Sequence, residues 1–105
     1  MDTDLSELGP FAEPALLILV SLADGPKHGY AMMGDIERLS GTRLGPGTLY
    51  AALARLERRG LIEPLPAQER RRPYRLTAAG VPILQARLSG MRDFVDAGLR
   101  RLPSR

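Results

Sequence analysis

The feature that most restricts the fold is an apolar run near the start of the chain. Ala15 to Val20 is uninterrupted, and Leu22 and Ala23 extend it. A bilayer span needs roughly 18–20 such residues, so the run predicts no membrane crossing. Pro14 suits the first turn of a helix, where its missing N–H costs nothing. Asp24-Gly25-Pro26 predicts the stop, with Gly25 in a left-handed cap and Pro26 blocking continuation. The helix expected over about 14–23 carries Leu16, Leu17, Ile18, Leu19, Val20 and Leu22, which make it apolar nearly all round. A helix of that kind is buried on most sides. The chain has 105 residues, the size of one domain, and a domain of this size buries only about two-thirds of its unfolded surface. Burial of the helix therefore predicts a partner chain as well as an internal core, with Leu16 and Leu19 at the partner interface.

The periodicity downstream supplies the other elements. A second helix is expected over about 29–39, with Tyr30, Met33 and Ile36 recurring three apart, and Gly41 as its cap. The short connection Gly41-Thr42-Arg43-Leu44-Gly45 suits a helix-turn-helix. A third helix begins at Pro46 or Gly47 and runs to Arg59. Leu49, Leu53 and Leu56 form its core stripe at i, i+4, i+7. Its opposite face shows Gly47, Ala51, Ala54 and Arg58, flanked by Thr48, Tyr50 and Arg55.

The period then shortens: Leu61–Leu65 and Pro73–Thr77 predict two antiparallel strands around a charged tip at 66–72. Pro64 and Pro73 place both strands at edges. Thr77 is a good N-cap for a last helix. Along that helix Val81, Leu84, Leu88, Met91, Val95, Gly98 and Leu102 follow steps of three and four for about three heptads, enough for a coiled-coil seam. Pro82 bends its first turn and Pro103 stops it.

The expected fold class is therefore mainly α with a small two-stranded antiparallel sheet: a winged helix-turn-helix followed by a C-terminal dimerisation helix. Residues 1–12 are expected to be an N-terminal arm or a short helix, with Leu5, Leu8 and Phe11 at helical spacing, 13–77 the winged domain, and 78–105 the dimerisation helix.

Charge and residue inventory narrow the chemistry. Cysteine is absent and His28 is the only histidine, so thiolate metal sites, cysteine nucleophiles and His-rich zinc sites have nothing to work with. No nucleophile–base pair and no glycine-rich phosphate loop after a strand is present. An enzyme, a cofactor and a metal are not expected; His28 is expected to be a helix cap or local hydrogen-bond partner. The net charge is +3, and 14 of the 15 basic residues are Arg, the side chain suited to bidentate phosphate and guanine contacts. Residues 55–75 hold seven Arg against Glu57, Glu63 and Glu69, whereas residues 1–13 carry four acidic residues and no basic one. The asymmetry points to an anionic partner. The acidic start is unlike a secretory leader, so a cytoplasmic protein is expected.

The stretches His28-Gly29-Tyr30, Leu44-Gly45-Pro46-Gly47-Thr48-Leu49-Tyr50, Leu53–Ile62 and Arg71-Arg72-Pro73-Tyr74-Arg75-Leu76-Thr77-Ala78-Ala79-Gly80 together resemble the PadR transcriptional regulators. The resemblance covers about residues 14–100, and the short tail resembles the subfamily with one C-terminal helix. It implies a homodimeric DNA-binding repressor, often released from DNA by a small molecule. Two positions depart from the pattern. Gly45 stands where the family usually has Ser, removing a possible cap or phosphate-contacting hydroxyl. Pro82 lies in a helix that normally runs straight.

The residues assigned to double-stranded DNA are Arg43, Gly47, Thr48, Tyr50, Ala51, Arg55 and Arg58, the wing residues Arg70, Arg71 and Arg72, and Tyr74. For Tyr50 the alternative is packing between the second and third helices; for Arg55 and Arg58 it is a solvated face. A dimer implies an inverted-repeat operator. The dimer interface is assigned to Leu16, Leu19, Val81, Leu84, Leu88, Met91, Val95 and Leu102. Gly98 with Phe94 beside it would frame a hole between subunits for a small apolar or aromatic effector, or the gap is filled by Phe94 and Leu99 of the partner. The competing function is a winged helix that contacts an acidic protein; salt-sensitive duplex binding separates the two.

Overall fold

The computed structural model describes residues 13–103; the expected arm over 1–12 lies outside the described residues. Helix α1 (Pro14–Leu22) has its proline in the first turn and buries Leu16, Leu17, Ile18, Leu19, Ser21 and Leu22. It is the pillar of the fold and touches helix α2 (Gly29–Ser40), helix α3 (Pro46–Arg58), strand β3 (Pro73–Leu76) and helix α4 (Gly80–Arg101). Strand β1 (Lys27–His28) follows α1, and strand β2 (Ile62–Pro64) follows α3. The α3 stripe Leu49, Leu53 and Leu56 is buried as the i, i+4, i+7 spacing predicts, with Ala52 beside it.

Several expectations are corrected. The sheet has three strands in the order β1-β3-β2, all antiparallel, with Lys27 opposite Tyr74 and Ile62 opposite Leu76. β3 is therefore central, not an edge. Pro73 is tolerated because it is the strand's first residue; its carbonyl still accepts from the Leu65 N–H at 2.8 Å. On α2 the buried residues are Gly29, Met32 and Ile36, and Tyr30 is 75% exposed. The inward face is thus the 29/32/36 stripe, not 30/33/36. Gly29 must face inward because the Tyr50 hydroxyl lies against it, where a Cβ would collide. Gly25 has φ 145°, outside the left-handed helical region, so α1 ends without the expected cap geometry.

The partner-interface assignments for Leu16, Leu19 and Leu84 also change. All three belong to the chain's own core, with 4–6% exposure each, and Leu16 keeps only an edge on an apolar surface groove. The physical reason is that α1 is wrapped by three helices and the sheet of the same chain.

Thr77 joins the wing to α4. Its carbonyl accepts from the N–H groups of Gly80 and Val81 at 3.0 and 3.1 Å. Its hydroxyl accepts from Gly80 N–H at 3.0 Å and donates to the Gly60 carbonyl at 2.7 Å. Gly80 sits so close to the Leu61 carbonyl and the Leu76 side chain that a Cβ would collide with both. This close approach explains a glycine near a helix start. Beyond it α4 leaves the body: only Gly80 and Leu84 are buried along its 22 residues, and the molecule measures 55 × 32 × 20 Å.

Candidate nucleic-acid interface

The helix-turn-helix puts one face of α3 in solvent. Gly47, Thr48, Ala51, Ala54, Arg55 and Arg58 are all exposed, as is Arg43 in the preceding turn. The core stripe pins α3 on its other side, so this face is fixed outward. Gly45 is the N-cap and supplies no side-chain hydrogen bond; only its carbonyl accepts, from Leu49 N–H at 3.0 Å. The first turn of α3 is consequently small and low in profile, which lets its backbone come close to a duplex. Arg55 and Arg58 place positive charge further along.

The wing rises beside it. Gln68 and Arg71 exchange two backbone hydrogen bonds, at 2.7 and 2.8 Å, and the residues between them, Glu69 and Arg70, have φ of 50° and 68°. Two central residues at positive φ match a type I′ hairpin turn, which normally takes Asn-Gly. Side chains other than Gly, Asn or Asp are disfavoured there, so Glu69 and Arg70 make the tip a strained turn. Arg70, Arg71 and Arg72 are exposed.

Between wing and helix lies a cleft of about 280 Å³. Arg70, Arg71 and Arg72 line it, together with the phenols of Tyr30, Tyr50 and Tyr74. Tyr50 packs as its alternative reading has it, its ring against Gly29 between α2 and α3, and half of its surface remains exposed. Tyr74 is half-buried in β3, and burial pushes its phenol above the ordinary range, helped by Glu57 and Tyr50 and opposed by Arg72. Tyr74 is therefore a neutral hydroxyl at physiological pH. Arg75 is occupied elsewhere, donating to Glu63 across the β2–β3 pair at 2.6 Å.

Sequence reasoning does not single out Tyr30, grouping it with Met33 and Ile36 by their three-residue spacing. The choice lies between two overlapping helical stripes, which only the contact of Gly29 with Tyr50 resolves. His28 caps α2 as expected, its Nδ1 accepting from Ala31 N–H at 3.3 Å. Its Nε2 lies 3.3 Å from Arg71 Nη1, a contact across 43 positions that spacing cannot reveal. Behind it, Lys27 bonds the Ser21 carbonyl and Asp24, and Ser21 donates to Asp35 at 2.6 Å. The Lys27 ammonium holds the exposed Asp24 carboxyl below its usual range. Together these bonds tie the end of α1 to β1 and α2. No group of three or more potential metal ligands is found among the described residues.

A second feature lies away from the cleft. Leu16, Leu17 and Val20 of α1, Leu39 of α2, and Leu88 and Met91 of α4 border an apolar groove of about 430 Å³. Past the groove α4 exposes Val95, Leu99 and Leu102, and Phe94 is 80% exposed. Val81 is also exposed. Around Gly98 the space is open, since a Cβ there would meet nothing within 4 Å. No described helix is long and apolar enough to cross a membrane.

Comparison with known proteins agrees with this geometry. The chain matches the Transcriptional regulator PadR-like family over residues 18–86. An uncharacterized 37.1 kDa protein in transposon TN4556 of Streptomyces fradiae is 54% identical over 81 residues, covering 71% of this chain and 24% of that protein. The chain thus spans about a quarter of the length of that curated relative. Among solved structures, a transcriptional regulator from Clostridium thermocellum shares the fold, with TM-score 0.74 and 24% identity over 98% of this chain and 99% of its own. A PadR family transcription regulator from Clostridium difficile superposes with TM-score 0.76 at 26% identity, covering 86% of this chain and 98% of that one. A PadR family regulator from Eggerthella lenta gives TM-score 0.70 at 26% identity, covering 87% and 82%. The family match spans α3, the wing and the root of α4, and the chain belongs to the PadR-like family of transcriptional regulators.

Proposed function

We propose that the chain is a homodimeric, sequence-specific DNA-binding repressor that acts in the cytoplasm on an inverted-repeat operator. Residues 13–77 do the reading and 78–105 the pairing. The observation that carries this is that Tyr50, on the flank of the small, exposed face of α3, and the three arginines of the wing line one cleft. A helix reads a major groove mainly with its N-terminal residues, here Gly47, Thr48, Tyr50 and Ala51. Arg70, Arg71 and Arg72 take phosphates, Arg43, Arg55 and Arg58 bind along the groove, and Tyr74 supports the wing from its base.

Dimerisation is supported by the groove on α1 and α4 and by the apolar side chains beyond it. A second copy is the partner whose surface provides Phe94, Val95, Leu99 and Leu102 to cover Leu88, Met91 and Val81. The open space at Gly98, with Phe94 adjacent, suits a small apolar or aromatic effector once two copies frame it; binding there releases the dimer from DNA.

The test is affinity for an inverted-repeat duplex taken from beside the protein's own gene, measured against salt. Triple substitution of Arg70, Arg71 and Arg72 by Ala should weaken all duplexes similarly. The slope of log K against log salt should shrink by about 0.9 for each phosphate no longer neutralised. An unchanged slope would assign these arginines to solvent and favour a protein partner.

A further inference from the structure

The contact between His28 and Arg71 contains a mismatch of hydrogen-bonding roles. A neutral imidazole has one donor nitrogen and one acceptor nitrogen. Both neighbours of the His28 ring are donors: Ala31 N–H faces Nδ1 and the Arg71 guanidinium faces Nε2, each at 3.3 Å. The ring has one lone pair to offer. Ala31 lies in the first turn of α2, where a backbone N–H has no partner inside the helix, whereas Arg71 is exposed and can turn to another acceptor. The lone pair therefore goes to the cap, and Nε2 carries the proton. Protonated Nε2 and the Arg71 guanidinium, 3.3 Å apart, are then two donors in contact with no acceptor shared between them.

From this we infer that His28 Nε2–H and the Arg71 guanidinium form a two-donor seat for one phosphodiester of the DNA backbone. The inference rests on the DNA-binding reading and adds a phosphate-binding residue to it. Glu69, also on the wing, makes no ion pair with Arg71 or any other cation among the described residues, so no carboxylate of the described chain fills the seat. Both donors are held on fixed backbone. His28 is paired with Pro73 across β1–β3, and Arg71 exchanges two backbone bonds with Gln68 at the turn. A phosphate oxygen is a strong, charged acceptor with room for two donors, and charge-assisted bonds of this kind are the short, strong ones. The seat also sets the angle of the wing, since His28 caps α2 and Arg71 belongs to the hairpin.

The test uses the intact protein and its only histidine, so the ring signals are unambiguous. Nitrogen-15 NMR of the neutral ring should show the Nε2–H form; the Nδ1–H form overturns the proposal. An operator duplex should shift the ring signals. Equal shifts from inorganic phosphate at matched ionic strength would make this a general anion site and also overturn it. His28→Asn keeps a good cap side chain but removes Nε2–H. It should weaken operator and unrelated duplexes alike by about tenfold with thermal unfolding little changed. Combined with Arg71→Ala, the loss should be smaller than the product of the two single losses, because both serve one phosphate. Wild-type affinity in His28→Asn, or independent losses, would overturn the seat while leaving the regulator reading intact. Absence of salt-sensitive duplex binding by the wild type would remove both.

Discussion

Leu53 in the body and Leu99 on α4 are the same side chain at comparable helical spacing. Leu53 is 1% exposed and Leu99 64%. The body closes on itself: α1 is surrounded, α3 is pinned by its stripe, and the sheet covers one end. In the far half of α4 Met91 is partly buried against the body, while Phe94, Val95, Leu99 and Leu102 lie exposed. Periodicity tells which residues share a face, but not whether that face belongs to this chain's core or to another molecule's. Leu84 and Leu88 make the point within about one turn of α4, since the first is a core residue and the second borders an apolar groove.

Substitutions can sharpen that contrast. The largest stability loss should come from the body. Leu53→Ala leaves a cavity that the surrounding helices cannot collapse into, and should cost about 2–5 kcal/mol, read as a lower denaturant midpoint. Gly80→Ala comes next: its methyl must displace the Leu61 carbonyl or the Leu76 side chain, a clash costing about 1–3 kcal/mol. If Gly80→Ala melts as wild type does, the wing and α4 are not rigidly joined.

On α4 the expected effect moves from folding to association. Leu88→Lys with Met91→Lys should convert a dimer to monomer by sedimentation. A wild type that is already monomeric at micromolar concentration would break the comparison, because the exposed half of α4 would then have no partner copy. Ala51→Glu should change unfolding by only about 0.5 kcal/mol while operator binding collapses, since a carboxylate would meet phosphates and acceptor-rich base edges. Operator binding at wild-type strength by folded Ala51→Glu would show that α3 is not the reading helix.

The smallest effect concerns pH. The Tyr74 phenol is raised above its unfolded value, mainly by burial. Its contribution is present below the unfolded value, about 10, and is lost as pH rises through the higher folded one. Tyr74→Phe should therefore flatten the fall in stability above about pH 10.

The helices are legible because burial on one side imposes a spacing, and Leu49, Leu53 and Leu56 carry it without ambiguity. β1 is not legible, since two residues cannot show an alternation, and Lys27-His28 has no β-forming character. The wing is visible as a charge run between two short strands. Its turn is hidden because Gln68-Glu69-Arg70-Arg71 lacks the Asn or Gly that advertises a type I′ tip. The cleft is only half visible: its arginines stand together in sequence, whereas His28, Tyr30 and Tyr50 arrive from β1, α2 and α3 and meet the wing only in three dimensions. For Leu16, Leu19 and Leu84 the apolar pattern is plain, but it carries no mark of which chain will cover them.

Thr77 and Gly80 give α4 the geometry of a lever with its fulcrum at one end. The helix has 22 residues, about 33 Å at 1.5 Å per residue. Thr77 bonds the Gly60 carbonyl just past α3, and Gly80 rests on the Leu61 carbonyl. A tilt of about 5° at this fulcrum moves the far tip by about 3 Å on that length. The same ratio in reverse relates a displacement of a few ångströms among Phe94, Gly98 and Leu102 to a rotation of a few degrees at the Thr77–Gly80 junction.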